Sequence, residues 1–286
     1  MSAPHRQRTA LLAELISRCR IALTRRMLLK GLGAIGLGAG ASAVLSACGV
    51  SSSPQPSEPV GDTPQPPEPP TPGTFDFQHG VASGDPLADA IIVWTRITPG
   101  SPDTAGTVPV EYVLATDPEL TNVATSGSTV TDATRDFTIK VDVTGLTAGT
   151  TYYYQFSVGE VVSPIGRTRT APVGDAADRA RFAVVACSNY SFGYFNGFGA
   201  IAARRDLDAV IHLGDYLYET AGGSVRQHAP DAEIVTLDDY RQRFAQYRQD
   251  PDLQEAHRQH PMIAVWDDHE TTNNSYRDGA ANHQSD

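Results

Sequence analysis

Between Arg181 and Trp266 short apolar runs alternate with longer polar stretches, and this alternation limits the possible folds more than any other feature of the chain. Arg181 to Ala186 (RFAVVA), Leu207 to Leu213 (LDAVIHL) and Met262 to Trp266 (MIAVW) have the length and β-branched content of buried strands. Phe195 to Arg205 can form a helix, and Leu237 to His260 is a polar, helix-compatible stretch in which Tyr240, Phe244 and Tyr247 recur at three- and four-residue spacing. A parallel strand can return beside its predecessor only through a crossover, so strands separated by helices predict a parallel sheet. Ligands of such sheets bind just beyond the carboxyl ends of the strands. Each run here ends on polar groups: Cys187-Ser188-Asn189, then Gly214-Asp215-Tyr216-Leu217-Tyr218-Glu219, then Asp267-Asp268-His269-Glu270. Strand ends side by side would place them in one crevice.

These residue types suit a metal centre. Thiolate, phenolate and carboxylate are anionic donors for a highly charged cation such as ferric iron, whereas oxygen-only sets suit calcium or magnesium. Asp215 and Tyr218 are three apart across a tight turn, a spacing that lets both face one ion. His269 can act as a general acid or donate to a phosphate oxygen. Taken singly, each has a plainer reading. Cys187 is a small buried hydrophobe, Gly214-Asp215 a turn, Tyr218 a packing aromatic, residues 267–270 a solvated acidic cluster, and His212 a satisfied core histidine. Convergence at three strand ends favours the site.

Upstream, from Phe75 to about Pro172, β-branched and aromatic runs are separated by turn residues with no helical periodicity, which predicts an all-β module. Ile91 to Arg96, Val108 to Ala115, Asp136 to Val143 and Tyr152 to Val158 are its clearest strands. The segment Val143 to Tyr154 resembles a fibronectin type III turn, in which a leucine plug and a following tyrosine close one end of a sandwich; its tyrosines are read as packing residues.

The first 47 residues hold seven of the 22 basic residues and one of the 33 acidic ones, which leaves 15 basic against 32 acidic and a net of −17 for the remainder. Such a balance argues against a nucleic-acid-binding surface. Arg25 and Arg26, followed by a weakly apolar stretch with five glycines from Gly31 to Ala47, resemble a twin-arginine export signal. The run is too weakly apolar for the roughly 20 residues a membrane span needs. Leu45-Ser46-Ala47-Cys48 resembles a lipobox, with Cys48 as the lipidated residue, and the Pro-rich stretch to Gly73 has the composition of a disordered tether. The expected partners are the export machinery and a membrane reached through the lipid, and the expected location is extracytoplasmic. Of the three cysteines, this leaves Cys187 without an intramolecular partner in an oxidising compartment.

Together, Gly80 to Pro86 (GVASGDP), Trp94-Thr95-Arg96, Ala186-Cys187-Ser188, Leu213 to Glu219, and Val265 to Glu270 followed by Asn273-Asn274 resemble the PhoD-type alkaline phosphatases and phosphodiesterases, of the calcineurin-like metallophosphoesterase class. The resemblance implies a signal at 1–47, a tether at 48–73, an N-terminal β-sandwich at 74–172, and at 178–286 the first part of an α/β (α+β sandwich) metallophosphoesterase domain. It also implies a ferric ion on Cys187, Asp215 and Tyr218, with Asp215 bridging to divalent ions, calcium among them. Asp268 would replace the asparagine ligand of the wider class, Asn273 or Asn274 would add an oxygen ligand, and His269 would be the catalytic histidine. The implied reaction is hydrolysis of a phosphate mono- or diester. Because the class completes its site with histidine and aspartate from a second half, the isolated 286-residue chain is expected to be weak or inactive. The competing expectation is a surface lipoprotein that binds a partner on a degenerate phosphatase scaffold.

Overall fold

In the computed structural model, residues 75–100, 106–174, 179–277 and 279–281 are described; Arg25, Arg26, Cys48 and the Pro-rich stretch lie outside them. In chain order the strands are β1 (Phe75–Asp76), β2 (Val81–Gly84), β3 (Ala90–Arg96), β4 (Thr98–Pro99), β5 (Val108–Ala115), β6 (Val123–Thr131), β7 (Thr138–Thr144), β8 (Thr151–Val158), β9 (Val161–Val162) and β10 (Gly166–Arg169). There follow β11 (Phe182–Val185), helix α1 (Asn196–Ala202), β12 (Ala209–His212), α2 (Leu237–Arg248), α3 (Pro251–Gln259) and β13 (Pro261–Ala264).

The β-rich segment forms two layers around one core. One layer runs β10-β8-β5-β6, with β9 on β8, and the facing layer contains β2, β3 and β7. Period-two alternation puts Tyr152, Tyr154, Phe156 and Val158 of β8 inward, against Ile91 and Val93 of β3 and Ile139 of β7. Leu146 is buried in this core, and the Tyr152 phenol oxygen accepts the Thr147 amide at 2.9 Å, pinning the turn before β8. The strand β6 (VATSGSTVT) is the longest that the residue pattern does not announce. It pairs with β5 from Val108↔Thr131 to Ala115↔Val123 but is largely exposed, so no apolar alternation is demanded of it.

The second sheet runs β11-β12-β13-β2-β3-β7 and crosses from one segment to the other. The strands β11, β12 and β13 are parallel as predicted, and β13 continues in parallel onto β2 through Pro261↔Ser83 and Met262↔Gly84. A side chain at position 84 would bring its Cβ to 2.8 Å from the Met262 carbonyl oxygen, so the glycine of the GVASGDP segment is what lets the two strands meet. Helices cover one face of the parallel part, where Phe198 and Ala202 of α1, Tyr247 of α2, and Leu253 and Ala256 of α3 pack on Val210 and Met262.

The helix-compatible stretch from Leu237 to His260 forms two helices. At the break, the Asp250 carboxylate accepts the Asp252 and Leu253 amides at 3.0 and 3.1 Å, and Pro251 takes the first helical position, where its missing N–H costs nothing. Among the described residues no helix is long and apolar enough to cross a membrane.

Candidate metal centre

Register brings the ligand-bearing loops together. Val185 pairs with His212, and His212 with Ala264, so β11, β12 and β13 end at one level and their loops emerge side by side. The loops are then tied to each other. The Cys187 amide donates to the Gly214 carbonyl at 3.2 Å, and the Ser188 amide to the Asp215 carbonyl at 2.8 Å. Gly214 has φ +112°, and a Cβ there would lie 2.5 Å from the Asp267 Cβ, which ties the second loop against the third. Cys187, Asp215 and Asn274 are held in the left-handed region at φ 58°, 54° and 55°. Non-glycine residues persist there only where surroundings over-determine them, a pattern concentrated at functional sites.

The described atoms converge on one carboxylate. The Cys187 thiol donates to Asp215 Oδ2 at 3.4 Å and the Tyr218 hydroxyl to the same oxygen at 3.3 Å, while the His269 amide donates to Asp215 Oδ1 at 3.3 Å. One donor atom each from Asp215, Asp268 and His269 lie within 4.8 Å of one another. The structure therefore gathers Cys187, Asp215, Tyr218, Asp268 and His269 as expected from the strand ends. Cys187 is exposed, contrary to the plainer reading of a buried hydrophobe. Asn273 is tied in through its main chain, its amide donating to Glu219 Oε1 at 2.7 Å, and the Asn274 amide donates to Asp268 Oδ2.

Electrostatics fit a cation. Burial and then the Asp215 carboxylate push both the Cys187 thiol and the Tyr218 phenol upward, so the protein alone disfavours their anions; a positive ion bound beside them would favour both. The Asn274 amide bond, against slight desolvation, holds Asp268 below the usual carboxylate range. Burial alone would lower His269, but the hydrogen bond and charge of Glu219, with Asp215 and Asp268 nearby, make the net shift upward.

Three supporting residues, Glu219, Glu270 and Arg243, carried no assigned role in the sequence reading, and His212 was read only as a core histidine. Glu219 is fully buried, and its Oε2 meets His269 Nδ1 at 2.7 Å, which leaves Nε2 to face a ligand. Glu270 accepts the Asp215, Tyr216 and Asp267 amides at 3.1, 2.5 and 2.8 Å, holding the second and third loops in one frame. His212 is satisfied, as expected of a core histidine, but it also connects loops: its Nδ1 accepts the Gly214 amide at 3.3 Å, leaving Nε2–H to meet the Ser188 hydroxyl oxygen at 2.9 Å. Arg243 of α2, fully buried, donates to the carbonyls of Tyr218, Thr220, Ala229, Pro230 and Ala232, fixing the main chain behind Tyr218. The only local signal for Glu219 and Glu270 is that each ligand segment, GDYLYE and DDHE, closes on an acid.

Comparison with known proteins gives the family. The PhoD-like phosphatase signature matches residues 182–286, and that of the PhoD-like phosphatase N-terminal domain matches residues 63–172. The chain belongs to the PhoD-like phosphatase family. It is 39% identical over 215 residues to alkaline phosphatase D of Bacillus subtilis (strain 168), covering 70% of this chain and 36% of that protein. A solved structure of PhoD matches with TM-score 0.68 and 38% identity, covering 72% of this chain and 41% of that one. This PhoD-like chain thus spans about two fifths of the length of the relatives it matches.

Proposed function

We propose that the chain is the exported front part of a metal-dependent phosphoesterase, which hydrolyses phosphate mono- or diesters to release phosphate. The observation that carries the reading is the convergence of Cys187, Tyr218 and the His269 amide on the Asp215 carboxylate, from three adjacent strand ends. Cys187, Asp215 and Tyr218 would hold a ferric ion, and Asp215, Asp268 and Asn273 a divalent one such as calcium, since thiolate and phenolate favour the more highly charged cation. Bound metal would neutralise phosphate oxygens and position the attacking water. The chain's own residues set the geometry. Glu219 accepts the His269 Nδ1–H, which orients the ring, and its charge favours the protonated imidazolium, whose Nε2–H can go to a phosphate or leaving oxygen; Glu270 fixes the main chain at Asp215, and Asp268 is kept ionised by Asn274.

Export and anchoring belong to the same proposal and rest on Arg25, Arg26 and Cys48. The fibronectin-III-like reading of residues 74–172 is supported by Leu146 in the core and the Tyr152 to Thr147 bond at the end of the layer. Ferric iron added to the purified chain should give a visible charge-transfer band that disappears in Tyr218→Phe and weakens in Cys187→Ala. A metal-free spectrum in the parent, or an unchanged band in Tyr218→Phe, rejects the ligand assignment. Phosphate release from a generic aryl ester tests turnover separately.

A further inference from the structure

The chain has two tryptophans, Trp94 and Trp266, and both line one cavity of about 740 Å³. It lies between β3, α2 and the loop after β13, and Tyr240 and Phe244 of α2 extend its aromatic walls. Ligand sites typically occupy roughly 300–1,000 Å³ with mostly apolar walls and a few polar groups. Among the described residues Trp266 is 80% exposed.

Charge narrows the ligand. Arg96, Arg135, Arg241 and Arg248 line the cavity against only Asp136 and Glu270. Both acids are already engaged: Asp136 takes Arg96 through two bonds of 2.9 and 2.7 Å, and Glu270 takes three main-chain amides. Arg248 is buried; its Nη2 donates to the His79 and Val81 carbonyls, and its guanidinium sits 4.9 Å from the Trp94 ring centre. Its Nε and Nη1 have no hydrogen-bond partner among the described residues, Tyr216 lying near without reaching bonding geometry. Arg135 is exposed and has no ion-pair partner at contact distance among the described residues. His79, on the same wall, is held near pKa 4 by burial and then by the charges of Arg96 and Arg248. A cation out of water without a counter-ion is costly, and an anion nearby relieves that cost.

We propose that this cavity is a binding subsite for an aromatic organic anion, which stacks against Trp94 and Trp266 and is held by the surrounding guanidinium charge. The cavity wall includes Glu270 and Thr271, next to His269, so the subsite can take the non-phosphate part of a phosphate ester. That role rests on the phosphoesterase reading; the binding does not. The test is titration of 2-naphthalenesulfonate into the metal-free 286-residue chain, read by tryptophan fluorescence, with 2-naphthol as the uncharged counterpart. A saturable change is expected, with naphthol about tenfold weaker, and with Trp266→Ala and Arg135→Ser each weakening the sulfonate by about five- to tenfold. Trp94 remains as reporter in the first variant, and both altered side chains are exposed, so folding is spared. No saturable change, equal affinity for naphthol, or unaltered affinity in both variants overturns the subsite. Failure of 2-naphthyl phosphate to displace the sulfonate, or displacement unaffected by Trp266→Ala, overturns its substrate role, whereas intact sulfonate binding in a chain that shows no ferric charge-transfer band counts against the phosphoesterase reading alone.

Discussion

Gly214 shows how much of the candidate centre depends on single positions. Its φ of +112° is open to glycine, and any Cβ would lie 2.7 Å from the Asp267 amide nitrogen, a main-chain atom that cannot swing away. Gly214→Ala should therefore lose at least about 2 kcal/mol, combining left-handed strain with overpacking. Urea unfolding measures this, and a variant within about 0.5 kcal/mol of the parent contradicts the packing described. The residue was legible in sequence as part of a Gly-Asp turn. Its contact with Asp267, 53 positions downstream, was not, because proximity across strands leaves no local pattern.

At the scale of elements, the break between α2 and α3 is the clearest departure from the sequence reading. A continuous helix-compatible stretch hides it, yet Asp250-Pro251 is a cap followed by a residue suited to the first helical turn. Asp250 also binds Arg226 at 2.6 Å with both side chains mostly buried, and Arg226 lies 3.6 Å from the Tyr190 ring centre. Asp250→Ala removes the cap, typically about 1 kcal/mol, and leaves a buried guanidinium without its carboxylate, so a total loss of about 3 kcal/mol is expected. A shift of the urea midpoint at unchanged m-value would express it; a loss below about 1 kcal/mol would mean the pair contributes nothing beyond the cap.

Across the whole molecule, β2, β3 and β7 of the β-rich segment and β11 to β13 of the α/β segment share one sheet, and Arg248 of α2 binds the carbonyls of His79 and Val81 at its seam. His79 adds a pH dependence to that seam. Its folded pKa, near 4, lies below the ordinary value of 6.5, because burial and the neighbouring arginines disfavour its charged form. The unfolded chain then binds more protons between these values, so the His79 contribution is complete above about pH 6.5 and is lost as pH falls toward 4. Unfolding free energies at pH 7 and pH 5 should differ less in His79→Gln than in the parent; equal differences would exclude the residue as the source. The sequence by itself determined the strand and helix alternation, the parallel order of β11 to β13 and the nature of the groups at their ends, because periodicity and residue chemistry are local. Only the tertiary structure decided that β13 joins β2, that Asp215 is the common acceptor, that Glu219 and Glu270 hold the loops, and that both tryptophans face one cavity. These depend on register and close approach between segments up to about 180 residues apart, which no local window contains.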